Sequence, residues 1–482
     1  MSEISIILND RSYEYDVYTL VIAYYQGVPT HVYDPGEEIS KEDLLRIGVD
    51  ISAENVRIEV GEDVRNEQVS DPSRSGVKHV LKRTLYEMLR EKTGRDLPWG
   101  SLTGIRPVKL AMDLLNEESS CDEGAKRAAE RFSGLYFASE KKADLAVRIA
   151  QKERSILDEI RPEEGYSLYI GIPFCPSICL YCSFSSSPLH LWESRVDEYL
   201  DALEKEMKAS RNCFSGKQLQ TIYIGGGTPT TLSAAQSDRL LNMTEENFDL
   251  STVREFTVEA GRPDSITPEK LRVLKEHGIS RISINPQTMN QKTLDLIGRR
   301  HTVEETKEAF HLARSLGFDS INMDLIVGLP GEGLPEVNHT MEEIEALDPD
   351  DVTVHALALK RAARLSLHMD EYEAISFRAS DEIMDRCEEG CRRLGMEPYY
   401  LYRQKNMAGN FENVGYAKKG KEGLYNILIM EEVQSILALG ASGSTKIVHE
   451  DGRIERIENV KDIRNYLERI DEMISRKEKI NG

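Results

Sequence analysis

Between residues 165 and 357 the sequence alternates six short β-rich runs with amphipathic helical segments, and this alternation limits the possible folds more than any other feature. It predicts a parallel sheet, because each helix must carry the chain back before the next strand begins. The even spacing favours a sheet that curls into a full or partial barrel. The predicted strands are Leu168 to Ile172, Thr221 to Ile224, Glu255 to Val258, Arg281 to Ile284, Asn322 to Ile326 and Val352 to Leu357.

The helices between these strands carry their own start and stop signals. Thr267 followed by Pro268 predicts a helix start. Thr302 and Glu305 have the spacing of a capping box, and Gly317 predicts the end of that helix. In such a barrel the functional side chains are expected where strands end and loops begin.

The segments on either side of the alternating region lack its regular order of strand and helix. Residues 1–160 combine strand-like runs, Ile4 to Leu8 and Val56 to Val60, with a helix whose apolar face runs from Val77 to Leu89. We therefore predict a small α/β domain there. Because the alternation stops near residue 375, we predict a separate C-terminal cap. The predicted α/β architecture has three parts: an N-terminal α/β domain (1–160), a partial (β/α)6 barrel (161–375) and a C-terminal α+β cap (376–482).

Charge and hydropathy exclude several classes of function. The 61 basic and 83 acidic residues give a net charge of −22, which repels nucleic acid and anionic membranes, so we expect no partner of either kind. No run approaches the roughly 18 uncharged apolar residues of a membrane helix, and the start lacks a secretory pattern, so we expect a cytoplasmic protein. The seven cysteines are too sparse for a disulfide scaffold.

Three of the cysteines follow the first predicted strand as Cys-x3-Cys-x2-Cys, at Cys175, Cys179 and Cys182. Three thiolates on one loop can bind three irons of a [4Fe-4S] cluster, and the fourth iron stays open because no fourth cysteine is near. A zinc site normally has a fourth Cys or His close by, and His190 is a poor candidate. Zinc and unliganded thiols are thus the weaker alternatives.

The cysteine loop and the motifs at later strand ends resemble the radical S-adenosylmethionine (SAM) superfamily. In that superfamily the open iron holds SAM, which is split by one-electron reduction into methionine and a 5′-deoxyadenosyl radical. The resemblance implies that the three cysteines bind the cluster and that polar or glycine positions at the strand ends contact SAM. A closer family resemblance, carried by the longer motifs given below, implies that SAM is contacted by Tyr169, Tyr181, Gly226, Gly227, Thr228, Glu259, Gln287, Arg299, Asp324 and Ala358.

Several of these positions have an expected role. Glu259 offers a carboxylate to the SAM ammonium group, and Gln287 and Asp324 offer polar atoms to the ribose. The glycine-rich turn Gly225 to Thr230 can approach the methionine moiety closely because no side chain blocks it. The turn lacks the Gly-Lys-Ser/Thr of a nucleotide-binding P-loop.

Longer motifs resemble the oxygen-independent coproporphyrinogen III oxidase family, in its longer branch with an N-terminal extension. The resemblance implies a decarboxylation in porphyrin and haem biosynthesis. The radical takes a hydrogen from the β-carbon of a propionate, and loss of carbon dioxide and one electron leaves a vinyl group. Two such steps convert coproporphyrinogen III into protoporphyrinogen IX. A flavodoxin or ferredoxin is the implied electron donor. The motifs are Leu97 to Pro107, Leu168 to Cys175, Gly225 to Thr230, Arg281 to Gln287, Gly298 to Thr302, Asp324 to Pro330 and Tyr399 to Met407.

One departure from the oxidases keeps other functions open, and one departure from the haem chaperones counts against the chaperone alternative. Phe184 stands where they have a further cysteine, and Cys182 to Phe184 instead resembles the related haem chaperones. Those chaperones carry a His-Asn-x-x-Tyr-Trp haem motif, and the matching segment here, Tyr425 to Met430, has no histidine. The alternatives are a haem-binding, chaperone-like protein and a radical SAM methyltransferase acting on another substrate.

A substrate with four propionates is strongly anionic and needs a cationic pocket. Arg403 and Lys405 are the candidates, and a basic surface strand is an equal alternative.

Three further features have plainer interpretations. Cys387 and Cys391 lie on the apolar face of a predicted helix, so we expect their side chains to pack in the core. His355, on the sixth predicted strand, is expected either to reach the rim of the barrel or to be an internal, hydrogen-bonded histidine. The turn-rich stretch Leu97 to Pro107 predicts a structural loop.

Overall fold

The computed structural model describes residues 3–39, 43–104, 106–118, 122–358, 379–404, 407 and 410–481. It forms two compact units, Met1–Gln151 with Tyr402–Glu412 and Lys152–Leu401 with Asn413–Gly482. The helices are α1 (Glu14–Tyr24), α2 (Arg74–Thr93), α3 (Pro107–Glu117), α4 (Asp122–Tyr136), α5 (Glu140–Ile160), α6 (Val196–Ser210), α7 (Ala234–Asn247), α8 (Pro268–Glu276), α9 (Gln291–Leu296), α10 (Val303–Ser315), α11 (Leu334–Leu347), α12 (Asp381–Arg393), α13 (Leu424–Glu431), α14 (Ile463–Glu468) and α15 (Ile470–Glu478).

The strands group into two large sheets and one short pair. They are β1 (Glu3–Leu8), β2 (Thr30–Tyr33), β3 (Asp43–Ile51), β4 (Asn55–Val60), β5 (Asp63–Gln68), β6 (Gly165–Ile172), β7 (Phe174–Cys175), β8 (Ser187–Pro188), β9 (Gln218–Gly226), β10 (Glu255–Glu259), β11 (Arg281–Ser283), β12 (Ile321–Val327), β13 (Asp351–Ala356), β14 (Glu397–Tyr402), β15 (Asn413–Ala417), β16 (Ser435–Leu439), β17 (Ser444–Val448) and β18 (Ile454–Glu458).

The first unit contains a five-stranded sheet in the order β2-β1-β3-β4-β5. Strand β1 pairs in parallel with β2 and β3, and β3, β4 and β5 form an antiparallel meander. Helices α1 and α2 bury their apolar faces in the same core as these strands. Helix α2 begins after the N-cap Ser73 and ends at Gly94, whose φ of 64° satisfies the left-handed C-cap that glycine tolerates best.

The turn-rich stretch of the first unit is anchored by a buried tryptophan. Trp99 is fully buried, and its indole N–H donates a 2.7 Å hydrogen bond to the Glu412 carboxylate. The Lys142 ammonium group donates to the other oxygen of Glu412. A buried carboxylate is costly unless it is paired and hydrogen-bonded, and both conditions are met here. This stretch therefore has the structural role that its turn signals predict, with Ile105 outside the described residues.

The second unit contains an eleven-stranded sheet in the order β14-β15-β13-β12-β11-β10-β9-β6-β16-β17-β18. Its centre is the run of parallel strands from β6 to β13, with the long helices of this region between successive strands. All six predicted strands lie within or overlap these strands, which confirms the α/β class and the partial (β/α)6 arrangement. In the described residues the sheet is open, because β14 and β18 are edges.

The five strands from Glu397 onward extend this same sheet. Strand β16 pairs in parallel with β6, and β15 pairs antiparallel with β13. This grouping differs from the predicted three parts with a separate cap. The physical reason is visible in β16, whose five residues are all buried, as in a strand covered on both faces. Such a run completes its burial by joining a large sheet.

The helix signals in the sequence are confirmed. The Thr267 hydroxyl accepts from the Lys270 amide at the start of α8. Thr302 and Glu305 form a reciprocal capping box at the start of α10. None of the helices in the described part of the chain combines the length and apolarity needed to cross a bilayer.

Candidate functional site

The cysteine loop leaves the carboxyl end of β6 and is closed by its own short sheet. Strand β7, which carries Cys175, pairs with β8, so the segment between them forms one enclosed loop. The Leu180 amide donates to the Ile297 carbonyl at 2.9 Å, and the Cys182 amide donates to the Cys179 carbonyl at 3.1 Å. These backbone bonds hold all three cysteines at the same end of the parallel strands.

The three thiols are free, and Cys179 is the most buried of them. In the described residues no group of three or more His, Cys, Asp or Glu side chains is arranged around a single metal ion. A [4Fe-4S] cluster would take one cysteine per iron, so its ligand sulfurs need not converge on one point. Burial raises the pKa of Cys182 to about 11, so metal coordination is the means by which this thiol would lose its proton.

The glycine turn after β9 lies against the cysteine loop. The Gly227 amide donates to the Ile172 carbonyl, and the Thr228 amide donates to the Phe174 carbonyl at 2.7 Å. A Cβ atom at Gly227 would lie only 2.6 Å from the Phe174 carbonyl oxygen, so this close approach requires glycine. The Thr228 hydroxyl lies 3.5 Å from the Cys175 sulfur. The turn is thus fixed beside the first cysteine.

Glu259 ends β10 and is paired with a neighbouring tyrosine. The Tyr223 hydroxyl donates a 2.6 Å hydrogen bond to the Glu259 carboxylate. Burial raises the pKa of Glu259 to about 7, and the Tyr223 hydrogen bond opposes part of that rise. The ring of Tyr169 stacks on that of Tyr223 at a centroid distance of 6.3 Å. Glu259 therefore changes its charge near neutral pH.

Gln287 has a backbone conformation that non-glycine residues rarely adopt. Its φ is 68°, a conformation that costs on the order of 1–3 kcal/mol outside glycine. The strain is held by pairing with β12, since the Gln287 amide donates to the Asp324 carbonyl and the Gln287 carbonyl accepts from the Ile326 amide. The Oε1 atom of Gln287 is buried and has no hydrogen-bond partner in the described structure. A strained residue with an unused acceptor is typical of a ligand site.

Asp324 lies in the middle of β12, facing polar side chains of its neighbours. Asn322 donates to the Asp324 carboxylate at 2.8 Å, and His355 Nε2 lies 3.8 Å away. Burial alone would raise the pKa of Asp324, but hydrogen bonds from His355, Asn322 and Thr353 outweigh it and lower the pKa. An ionised carboxylate is thereby available at this position. His355 lies beside Asp324 and its side chain is 26% exposed, so both predictions for it stay open.

Arg299 is committed to the loops around the cysteines. Its guanidinium donates to the Tyr181 hydroxyl at 3.2 Å and to the carbonyls of Gly261 and Asn285 at 2.6 and 2.9 Å. Its Nε atom is buried without a partner in the described residues. Ala358 lies two residues beyond the end of β13, at the limit of this described segment. The ten implied SAM contacts stay predictions, and most of them meet at one end of the parallel strands.

Sequence reasoning missed two buried side chains of this region. Arg262 follows β10 and donates to the Cys179 sulfur at 3.6 Å. His301 is fully buried, neither ring nitrogen has a partner in the described structure, and burial lowers its pKa to about 3. The available signal was a cation two residues before Asp264 at a strand end, but only the fold brings Arg262 to the cysteine loop.

The predicted cationic pocket is not supported at Arg403. This side chain is buried, and its guanidinium donates to the Leu102 carbonyl at 2.7 Å and to the Asn410 side chain. It is therefore occupied within the first unit, and the prediction that it binds a propionate is corrected. Lys405 lies outside the described residues. Cys387 and Cys391 are buried in α12, as their apolar stripe predicts.

Comparison of the sequence with known proteins gives one family match and matches to individual relatives. Residues 169–344 match the model of the radical SAM superfamily. The oxygen-independent coproporphyrinogen-III oxidase-like protein HemZ of Bacillus subtilis is 41% identical over 400 residues, which are 82% of this chain and 79% of that protein. The heme chaperone HemW of the same organism is 33% identical over 320 residues, which are 64% of this chain and 76% of that protein.

A solved structure shows the same fold. It is the coproporphyrinogen III oxidase HemN from Escherichia coli, described as a radical SAM enzyme. The TM-score is 0.52, with 23% sequence identity over 67% of this chain and 73% of that chain. At this identity the likeness concerns the fold alone.

Proposed function

Since the chain belongs to the radical SAM superfamily and, within it, to the oxygen-independent coproporphyrinogen-III oxidase-like family, we propose that it oxidatively decarboxylates coproporphyrinogen III to protoporphyrinogen IX. The proposal is supported by the 41% identity over 82% of the chain. It is also supported by the cysteine loop, the glycine turn and the unused polar atoms at the adjoining strand ends.

The cofactors of this family are a [4Fe-4S] cluster and SAM, and the residues present fit both. Cys175, Cys179 and Cys182 would hold three irons and leave one for SAM. When bound, this pair supplies a 5′-deoxyadenosyl radical that takes a hydrogen atom from the substrate. The buried acceptor of Gln287 is the feature of this structure that fits a ribose hydroxyl, and the close backbone contacts of Gly227 hold the glycine turn beside Cys175.

Each of the polar side chains near the cysteine loop would then have a separate task. Glu259, in its ionised form, would accept hydrogen bonds from the SAM ammonium group, and Tyr223 would keep that carboxylate in place. Gln287 and Asp324 would bind the ribose hydroxyls as acceptors. Exclusion of water around these side chains would protect a reactive radical from side reactions.

The observation that carries the choice of a decarboxylase over a haem carrier is the position of Tyr425. This residue begins the segment that matches the haem motif of the chaperones, and the segment forms α13. The Tyr425 ring is buried and stacks on that of Tyr223 at 4.6 Å. The next side chain, Asn426, donates to the Tyr399 hydroxyl. An iron-binding side chain facing a haem would need to be free of such packing.

The test is an anaerobic assay with the reconstituted full chain. The protein is mixed with SAM, dithionite and coproporphyrinogen III, and products are separated by chromatography. Formation of 5′-deoxyadenosine together with a vinyl porphyrinogen is the expected result. Deoxyadenosine without a vinyl product would instead point to another substrate, such as one that is methylated. A Cys179→Ala variant should give neither product and little iron, whereas Cys387→Ala, another buried cysteine, should retain iron.

A second candidate, a haem-binding chaperone, is favoured by one feature of the cysteine loop. Phe184 follows the third cysteine and its side chain is 72% exposed, as an apolar surface for a flat macrocycle would be. Titration of the protein with haem, followed by the Soret absorbance, separates the two candidates. Stable binding at one haem per chain without turnover would favour the chaperone, and loss of that binding in Phe184→Ser would locate the site.

The enzyme would also need a one-electron donor, for which we propose a flavodoxin or a ferredoxin. Replacing dithionite by reduced flavodoxin or ferredoxin in the same assay should sustain deoxyadenosine formation. Turnover with dithionite but with neither protein would contradict this part of the proposal.

A further inference from the structure

Arg262 is a buried cation whose guanidinium N–H groups donate to the cysteine loop and to Asp264. Only 4% of the residue is exposed. Its Nη1 atom donates to the Ser177 carbonyl at 3.2 Å and to the Cys179 sulfur at 3.6 Å, and its Nη2 atom donates to the Ser177 hydroxyl at 3.2 Å. Three hydrogen bonds thus reach from the end of β10 into the cysteine loop.

The other side of the same guanidinium is held by Asp264. Nε donates to one carboxylate oxygen at 3.0 Å and Nη2 to the other at 2.9 Å. This bidentate pairing fixes the plane of the guanidinium and leaves Nη1 directed at the loop. A lysine has neither the planar fork nor enough fixed donors to make both sets of contacts.

We propose that Arg262 is a positioning residue that binds the Cys179 sulfur and makes the iron–sulfur cluster easier to reduce. The potential of such a cluster depends on its net charge and on hydrogen bonds to its sulfurs. A positive donor at a ligand sulfur favours the reduced form, because that form carries one more negative charge. The inference rests on the cluster assignment of the proposed function.

Because Asp264 carries the opposite charge, substitutions at Arg262 and Asp264 should shift the reduction potential of the cluster in opposite directions. Asp264 lies on the far side of the guanidinium from the sulfur and partly neutralises the positive charge. Removing the charge of Arg262 should therefore lower the reduction potential, whereas removing the charge of Asp264 should raise it. A role limited to bracing the loop would not give opposite signs, since both changes would loosen the same contacts.

The experiment is a redox titration of the reconstituted full chain without SAM, followed by electron paramagnetic resonance. We compare wild type, Arg262→Gln, Arg262→Lys and Asp264→Asn. Arg386→Gln is the control, because Arg386 is also partly buried and pairs with a carboxylate, Glu345, but has no contact with the cysteine loop in the described structure. Iron content and circular dichroism are measured on every variant.

We expect the equilibrium constant for one-electron reduction to fall about tenfold in Arg262→Gln, which corresponds to about 59 mV. Asp264→Asn should shift the potential upward, and Arg262→Lys should lie between wild type and Arg262→Gln. Unchanged potentials, or shifts of Arg262→Gln and Asp264→Asn in the same direction, would overturn the inference. If Arg262→Gln holds no iron, the inference is decided by whether the reduction potential falls in Arg262→Lys and rises in Asp264→Asn.

The two proposals fail in different ways. If the wild-type protein takes up no iron, both the proposed function and the role of Arg262 are wrong. A wild-type protein that forms the cluster and the vinyl product, with variant potentials equal to that of wild type, would remove the role of Arg262 alone.

Discussion

Tyr223 and Glu259, one near the end of β9 and the other at the end of β10, are joined by a 2.6 Å hydrogen bond at the carboxyl ends of the two strands. The bond keeps a buried carboxyl group in the range where it titrates, with a pKa of about 7. Without the tyrosine hydroxyl, burial would keep this group protonated well above neutral pH. The pair therefore provides a negative charge in a place that otherwise disfavours one.

This pair predicts a pH-dependent affinity for SAM. The ammonium group of SAM is bound by the ionised form of Glu259, so affinity should fall as the pH drops below the Glu259 pKa of about 7. In Tyr223→Phe the carboxyl pKa should rise, and the loss of affinity should begin at a higher pH. Glu259→Gln should bind SAM about tenfold more weakly or worse, with a flat profile. Isothermal titration of the reconstituted protein at several pH values measures all three, and a pH profile in Glu259→Gln that matches wild type would contradict the assignment.

The left-handed backbone at Gln287 predicts that relieving the strain there raises the free energy of unfolding and lowers the affinity for SAM. Gln287→Gly should relieve the strain and raise the free energy of unfolding by about 1 kcal/mol. Because the buried amide oxygen is then lost, SAM affinity should fall severalfold. Arg161→Gly is a matched control, since Arg161 has a φ of 48° on the exposed surface and should change stability alone. Equal SAM affinity in wild type and Gln287→Gly would show that the strain serves no ligand.

The parallel strands were predictable because their signals are local. Each is a short run rich in β-branched, aromatic and other apolar residues, and a helix cap such as Thr302 with Glu305 is recognised from residues within four positions of each other. The cysteine spacing is likewise local, and by itself it points to a cluster. Strand β16 was not predicted as a neighbour of β6, because 267 residues separate Ser167 of β6 from Gln434, which directly precedes β16, and no local signal encodes that pairing.

Arg262 shows why part of the site could not be predicted. It lies 83 residues from Cys179 along the chain and is brought there by the order of the parallel strands. In the sequence it is an ordinary charged residue in a loop. Arg403 is the opposite case, since its charge made it a candidate for binding a propionate, whereas its guanidinium donates to backbone carbonyls of the first unit. Composition cannot distinguish a cation that binds a ligand from one that fastens a loop.

The close approach at Gly227 predicts that even a methyl group is too large there. In Gly227→Ala the new Cβ would lie 2.6 Å from the Phe174 carbonyl and 2.9 Å from the Ile172 carbonyl, both of them backbone atoms. We expect a loss of about 1–3 kcal/mol in the free energy of unfolding and reduced iron uptake, as the turn moves away from Cys175. Gly134→Ala, in the interior of α4 with open space around the new atom, should instead be neutral or stabilising. Iron content and thermal unfolding of both variants check this.

A buried carboxyl pair away from the site predicts how the stability of the second unit depends on pH. Glu153 of α5 is fully buried, and burial, then the charge of Glu431 at the end of α13, raises the pKa of Glu153 well above its usual 4.5. The folded chain therefore keeps a proton that the unfolded chain releases above that usual value. Stability from this group is complete below the unfolded pKa and falls as the pH rises towards the folded pKa, by up to about 1.4 kcal/mol per pH unit.

Glu153→Gln should remove this dependence, because the amide stays neutral at every pH. We expect the variant to be more stable than wild type at about pH 8 and similar to it at about pH 5, by urea unfolding of the full chain. Glu159→Gln, at an exposed position of the same helix, should follow wild type at both values. Parallel stability curves for wild type and Glu153→Gln would mean that Glu153 is ionised in the folded protein, and Glu431 would then have to be the member of the pair that holds the proton.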